Sequence, residues 1–308
     1  MTPARATAPR VLVLGVSGML GHKMFQVLGR TFGDVRGVMR ARKSAPEIAP
    51  YGFLHGDAVL DCVDLADWAA VKAVLAETNP DIVVNCVGVI KQRVEATSAI
   101  PSISINALLP HLLAEHLATT GGRVVHVSSD CVFSGLRGDY AEDDLSDADD
   151  LYGRTKHLGE VATANAVTLR TSIIGRELMR HDSLLDWFLR QRGRRIKGYR
   201  QALWSGVTTN HLAEVVATVI AEHPNLSGLY QVSSGRLSKY DLLLRLREAY
   251  NLDVVIVPDD DVRIDRTLRG DRFAAATGYR PPDWSELTAQ LVADTTFYPR
   301  LGETEAAR

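Results

Sequence analysis

The stretch Arg10-Val-Leu-Val-Leu-Gly-Val-Ser-Gly-Met-Leu-Gly21 decides the fold. After Arg10, residues 11–14 are all apolar and alternate β-branched Val with Leu, the pattern of a parallel strand covered on both faces. Gly15, Gly18 and Gly21 then form a turn, and a helix is expected from about Leu20 to Arg30. A glycine turn between strand and helix lets the backbone approach a pyrophosphate, and the helix N-terminus offers free N–H groups and a positive dipole. The spacing is GxxGxxG, not the commoner GxGxxG, and alone it also fits an incidental strand–helix turn. Its place after an apolar strand points to a dinucleotide, held by Gly15, Ser17, Gly18, Met19, Leu20 and Gly21.

Working outward, strands read at Val35–Met39, Ile82–Asn85, Arg123–Val127, Ala166–Arg170 and Leu229–Ser233. Helical periodicity runs through Leu65–Leu75, Ile105–Ala118 and Asp241–Tyr250. Strands alternating with helices give an α/β class. Ser183–Gln201 reads as a helix plus a basic segment with Arg190, Arg192, Arg194, Arg195 and Lys197. That segment reads first as a solvated face and second as an anion site, since arginine forks suit phosphate oxygens. The acidic run Glu142–Asp150 reads as a solvated loop. There is no internal repeat and no low-complexity linker. Residues 1–175 are therefore expected to form a dinucleotide-binding domain and 176–308 mainly a smaller lobe, with elements at about 206–235 returning to the first.

The chain has 308 residues and a formal net charge of −2, so no global basic field points to nucleic acid or membrane. No apolar run approaches the ~20 residues that span a bilayer. Met1–Pro9 lacks the apolar stretch of a signal peptide and reads as a frayed leader, and the tail after Pro299 as a mobile end. Cys62, Cys86 and Cys131 are an odd number without metal-ligand spacing, so no metal site is expected and a reducing cytoplasm fits best. The second strand ends in Met39-Arg-Ala-Arg-Lys43, with no acid to bond a ribose 2′-hydroxyl. Arg40 there favours a 2′-phosphate and hence NADP(H), with NAD(H) open. Asp64 and Leu65 are expected at the adenine, and Cys86, Val87 and Gly88 beside the cofactor ribose.

Tyr152 and Lys156 are four apart, hence on one face of a helix. A lysine ammonium beside a phenol lowers its pKa, giving an acid–base able to trade a proton with a carbonyl or alcohol. Ser128-Ser129-Asp130 closes the strand before them. A glycine turn, a strand ending in serine and YxxxK, in that order, form a strong joint signal.

Together with Leu169-Arg-Thr-Ser-Ile-Ile-Gly175, Gly206-Val-Thr-Thr209, Asp265–Phe273 and Pro282-Asp-Trp284, these motifs resemble the extended short-chain dehydrogenase/reductases, and among them the dTDP-4-dehydrorhamnose reductase branch. The resemblance covers nearly the whole chain. It implies a Rossmann-type doubly wound parallel sheet with a small C-terminal substrate-binding lobe, and NADPH-dependent reduction of a nucleotide-linked 4-keto-6-deoxy sugar. It gives Ser129 the reacting oxygen, Tyr152 the proton, and Lys156 the nicotinamide ribose and the tuning of Tyr152. Ser128 and Asp130 support them, and Asn106 is a further candidate for ordering the site. The branch often has Tyr where Cys131 stands, and sugar-nucleotide dehydratases have Glu. Cys131 resembles the cysteine of GDP-fucose-synthase-type epimerase/reductases, which opens a second reading with Cys131 as base and His181 as its acid. Against it, Cys131 also reads as a small packed residue and His181 as a surface histidine. A third reading is a silent NADP-binding regulatory subunit. Asp130, Cys131, Arg195, Trp204, Thr208, Arg266 and Arg269 join Ser129 as expected substrate contacts, because base stacking and diphosphate pairing want aromatics and arginines. A homodimer is compatible with this reading.

Overall fold

The structure is a computed structural model that describes residues 8–89 and 98–299; most of the N-terminal leader and the chain beyond Pro299 lie outside the described residues. The first half runs β1 (Arg10–Leu14), α1 (Gly21–Thr31), β2 (Asp34–Val38), β3 (Val59–Leu60), α2 (Trp68–Thr78), β4 (Ile82–Asn85), α3 (Ala99–Ser102), α4 (Leu109–Thr120), β5 (Arg123–Ser129), α5 (Leu151–Leu158) and β6 (Ala166–Thr171). There follow β7 (Ile173–Ile174), α6 (Leu184–Leu189), β8 (Arg195–Tyr199), β9 (Ala202–Trp204), β10 (Val207–Thr208), α7 (Thr209–Glu222) and β11 (Gly228–Gln231). The chain closes with β12 (Leu237–Ser238), α8 (Lys239–Ala249), β13 (Val255–Asp259), β14 (Ile264–Asp265), α9 (Asp271–Thr277) and α10 (Trp284–Val292).

Seven strands form one sheet in the order β11-β6-β5-β4-β1-β2-β3. Every pairing in it is parallel. Strands such as β4 and β6 are buried along their whole length, as a sheet with helices on both faces requires. Val11, Val13, Val84, Val125 and Val167 face α1 and α7. Leu12, Leu14, Val83 and Val124 face α2 and α4. The fold class is thus α/β with a Rossmann-type parallel sheet. Among the described residues no helix is long and apolar enough to cross a membrane.

After β6 the chain leaves the main sheet and then returns to it. β10 pairs with β7, α7 packs on α1, and β11 adds itself to the edge of the main sheet beside β6. Sequence reading named no helix at 209–222. The second lobe has its own core, in which Phe188, Trp204, Leu242, Leu246, Trp284 and Leu287 are buried.

Two expectations need correction. Within Ser183–Gln201 only Leu184–Leu189 is helical, and Arg195–Tyr199 is a strand parallel to β13. Its cations stand at every second residue, a strand period that a view of mere charge density hides. Of these, Lys197 Nζ lies 2.6 Å from Asp259 Oδ2, and just past the strand Arg200 pairs with Asp260. The run Glu142–Asp150 is not simply solvated either. Glu142 is buried and accepts the Gln231 amide at 2.9 Å, while Asp147 takes the Ser134 amide at 2.7 Å and Asp150 caps α5.

Beneath β5 and β6 lies a buried ion pair. Arg170 donates from Nε to Glu160 Oε1 at 2.8 Å and from Nη2 to Oε2 at 2.7 Å, and Ser128 Oγ donates to Oε1 at 2.7 Å. Burial pushes the Glu160 carboxyl up, but the hydrogen bonds from Arg170, His157 and Ser128 outweigh it and hold its pKa below the ordinary value. A depressed carboxyl pKa stabilises the fold above the unfolded-state value and loses that contribution as pH falls through the folded value. Glu160→Gln, which leaves the Arg170 charge buried and unpaired, is expected to cost ~3–5 kcal/mol in urea unfolding at neutral pH. The deficit relative to wild type should shrink as both proteins are taken to acid pH.

Candidate active site

The C-terminal ends of the parallel strands meet at the glycine turn. Gly15 adopts φ +88° and donates its amide to Val38 O at 2.8 Å, and Gly18 donates to Gly15 O at 2.9 Å. A Cβ on Gly21 would lie 2.0 Å from Gly15 O, so the turn closes only with glycine there. α1 starts with no side-chain cap and no acid in its first turn, which leaves its positive end available to an anion. Val87 abuts the turn: a Cβ on Gly15 would stand 2.9 Å from Val87 Cγ2. Ser17 and Met19 are half-buried on the turn, and Arg40 is exposed just past β2. Asp64 is exposed, its carboxylate accepting the Ala66 amide at 3.0 Å. The side chains of Leu20 and Leu65 are buried in the core, which leaves their backbone for a cofactor. A cradle so tight that a Cβ would fill it fits a dinucleotide pyrophosphate.

Side chains alternate along β5, so its two terminal serines part company. Ser128 turns under the sheet to Glu160, and Ser129 turns to the cleft. Ser129 Oγ accepts the Cys131 amide at 3.1 Å, lies 3.2 Å from Asp130 Oδ1 and is hydrogen-bonded to the Tyr152 hydroxyl. α5 is capped by Asp150, which accepts the Gly153 amide at 2.8 Å. Asn106, fully buried in a π-helical stretch (Ile103–Leu108) between α3 and α4, bonds both the amide and the carbonyl of Val89 and donates to Thr155 Oγ1 at 3.2 Å. It thereby ties the chain leaving β4 to α5.

The electrostatics differ from the expectation in one respect. The Tyr152 pKa is raised, not lowered: burial and the nearby acids Cys131, Asp130 and Asp150 outweigh the hydrogen bond from Ser129. The Lys156 ammonium is tied to the sheet, donating to Val127 O at 2.7 Å and standing 3.4 Å from His126 Nε2. Burial brings Lys156 itself down to about 8 against the opposing charges of Glu160 and Cys86. Asp130 is buried, which raises its pKa, while Arg266, Lys239 and hydrogen bonds from Ser129 and Ser172 oppose the rise. Burial pushes the Cys86 thiol up to about 12.

Of the expected substrate contacts outside the Ser129–Cys131 turn, Arg266 is placed at the site. Its Nη1 is 3.9 Å from Cys131 Sγ, and its Nε donates to Phe133 O at 2.9 Å. Trp204 is instead a core residue, 3% exposed and packed on Trp284 with ring centroids 5.3 Å apart, so it has no open face for a base. Thr208 is corrected likewise: it is fully buried and caps α7, accepting the His211 amide at 3.1 Å. Arg269 faces solvent and pairs with Asp271 at 3.1 Å, and Arg195 is exposed on β8. His181 is buried, not superficial; its Nδ1 lies 3.7 Å from Asp186 Oδ1 and Arg190 donates to its carbonyl at 2.7 Å.

Sequence reading missed Lys239, which faces Asp130 and Cys131 from the start of α8, and His126, which lies between Asn85 and Lys156. A signal for Lys239 existed. A lysine in a helix's first turn opposes the macrodipole and needs another reason to be there.

The family whose model matches residues 9–296 is described as the RmlD substrate binding domain. A Streptomyces antibioticus protein named probable dTDP-4,6-dihydroxy-2-methyloxan-3-one 4-ketoreductase is 32% identical over 251 residues, 76% of this chain and 74% of that protein. Methionine adenosyltransferase 2 subunit beta of Xenopus laevis is 23% identical over 266 residues, 79% of this chain and 72% of that protein. The crystal structure of dTDP-4-dehydrorhamnose reductase from Bacillus anthracis, in complex with NADP, superposes with a TM-score of 0.75 at 20% identity, covering 92% of this chain and 98% of that one. With the family model spanning nearly all of the chain and the Streptomyces relative agreeing, this protein belongs to the RmlD substrate binding domain family.

Proposed function

We propose that the protein uses NADPH to reduce the keto group of a nucleotide-linked 4-keto-6-deoxy sugar, with dTDP as the nucleotide, in deoxysugar biosynthesis. The observation that carries this reading is the Ser129–Tyr152 hydrogen bond at the end of β5, with Lys156 anchored behind it, two strands from the glycine turn. The ketoreductase and rhamnose reductase names of the relatives point the same way, and one of those enzymes was solved with NADP. The relative named as a subunit of another enzyme is the one observation that keeps a regulatory-subunit reading in view. An assembled Ser129, Tyr152 and Lys156 argues for catalysis, since a silent fold needs none of the three.

When bound in the cradle, the cofactor supplies the hydride. The protein's own groups do the rest. Ser129 and Tyr152 hold the carbonyl oxygen where charge develops. Tyr152 gives up its proton as the alkoxide forms. Its raised pKa keeps that proton in place across the neutral range, as an acid requires. Lys156 restores charge balance beside the phenolate. Arg40, past β2 and exposed, meets the 2′-phosphate.

Four outcomes test the reading. NADPH should bind more tightly than NADH in fluorescence titration, and Arg40→Asp should reverse the order; tighter NADH binding by wild type would defeat the Arg40 assignment. Tyr152→Phe should keep cofactor affinity and lose ~10²–10⁴-fold in turnover of dTDP-4-keto-6-deoxy sugar. For wild type, kcat/KM should be level below pH 8 and fall above it. The Lys156 pKa of about 8, set by burial against Glu160 and Cys86, means its charge is lost as pH rises through that value. In D₂O, wild type should place no deuterium beside the sugar carbonyl and Cys131→Ala should keep most reductase activity. Cys131-dependent labelling at C3 or C5 would make the protein an epimerase/reductase instead.

A further inference from the structure

Lys239 has no part in the chemistry above, and its position is costly. It opens α8, directly after Ser238, whose Oγ caps the helix by accepting the Asp241 amide at 3.0 Å. A cation there opposes the helix dipole. β12 pairs antiparallel with β9, with Leu237 opposite Trp204, and this sets Lys239 Nζ 3.8 Å over the Trp204 ring. Trp204 is fixed from its other side by Trp284. The lysine therefore has a rigid floor, and its charge is directed at Asp130 and Cys131. Burial lowers its pKa to about 8, against the opposing charges of Asp130 and Cys131. Lys239 is half-buried and rests on the Trp204 face, which leaves N–H donors for a ligand in the cleft. A cation–π contact alone repays only part of the desolvation of an ammonium.

The neighbours indicate what those donors meet. Asp130 is the residue after Ser129 and lies 3.2 Å from its hydroxyl. Beside the Ser129–Tyr152 pair, which takes the reacting oxygen, stand a group that only donates and a group that only accepts. A hydroxyl satisfies both, accepting from the ammonium and donating to the carboxylate. In a sugar whose carbonyl oxygen sits on Ser129 and Tyr152, the hydroxyl nearest those groups is by covalent structure the one on the carbon next to the carbonyl. We propose that Lys239, with Asp130, determines specificity by reading the hydroxyl adjacent to the reacting keto group of the sugar nucleotide. This rests on the reductase reading and names the part of the substrate that the second lobe recognises. A deoxy sugar leaves the Lys239 ammonium without that acceptor. An amino sugar presents a second cation to Lys239 and Arg266.

The test compares dTDP-4-keto-6-deoxyglucose with its 3-deoxy counterpart, following NADPH consumption, with NADPH affinity measured separately. Wild type should prefer the hydroxylated sugar in kcat/KM. Lys239→Met should raise KM for that sugar by about tenfold or more with kcat largely retained, bring the preference close to unity and leave NADPH affinity unchanged. Lys239→Arg, which keeps the charge, should fall between. An unchanged preference in Lys239→Met overturns the proposal, as does an equal loss on both sugars accompanied by weaker NADPH binding, the mark of mere packing. If Lys239→Met does not fold, wild type decides alone: equal kcat/KM for the two sugars sinks the assignment. If wild type reduces neither sugar, the reductase reading fails and the Lys239 assignment goes with it.

Discussion

Helix α5 lies closer to its neighbours than ordinary residues permit, and the site depends on that approach. A Cβ on Gly153 would fall 2.2 Å from the Cys131 carbonyl, and one on Gly159 only 1.9 Å from the Asn106 carbonyl. Two glycines six residues apart thus let the helix rest on the turn after β5 at one end and on the π-helical stretch before α4 at the other. With its height fixed, Tyr152 reaches Ser129 and Lys156 reaches Val127 O. The buried Glu160 just beyond the helix then holds Arg170 on β6. Position along the sheet and distance from it are set by backbone contact, which is stiffer than any side-chain packing.

The frame was legible because it is written in short-range patterns. A β-branched run before Gly15, an all-apolar Ile82–Val84 and a serine-ended β5 each announce a buried parallel strand, and the sheet contains all three. Tyr152 and Lys156 were legible for the same reason, since helical spacing alone places both toward β5. What could not be read depends on partners far away in sequence. Trp204 looks like a stacking platform until Trp284 is found against it. Thr208 looks polar and available until α7 begins at the next residue and uses it as a cap. The sign of the Tyr152 shift follows from burial, which no spacing reveals, and the strand at Arg195–Tyr199 exists because β13 lies beside it.

The cleft joins two electrostatic regimes. Lys156 is tied to β5, whereas Lys239 on α8 and Arg266 after β14 converge on Asp130 and Cys131. Both lysines are held near 8 by burial, yet they answer to different acids, Glu160 for one and Asp130 for the other. Substituting one lysine therefore leaves the acid that acts on the other in place.

The end of the chain is built into its beginning. Lys23 on α1 is buried against Asp294 at 2.6 Å, and His22, whose Nδ1 meets Gly18 O at 2.9 Å, reaches Tyr298 through Nε2 at 2.8 Å. Burial holds His22 neutral, with its pKa near 4, so it serves the glycine turn as a fixed dipole. During synthesis, then, β1 and α1 leave the ribosome well before the segment that braces them. The glycine turn gains its bracing, and β6 its outer neighbour β11, only from residues made far later. Such long-range closure slows folding and leaves a sheet edge open meanwhile. Until Asp294 and Tyr298 dock, the Lys23 ammonium and the His22 ring on α1 lack the partners this segment brings.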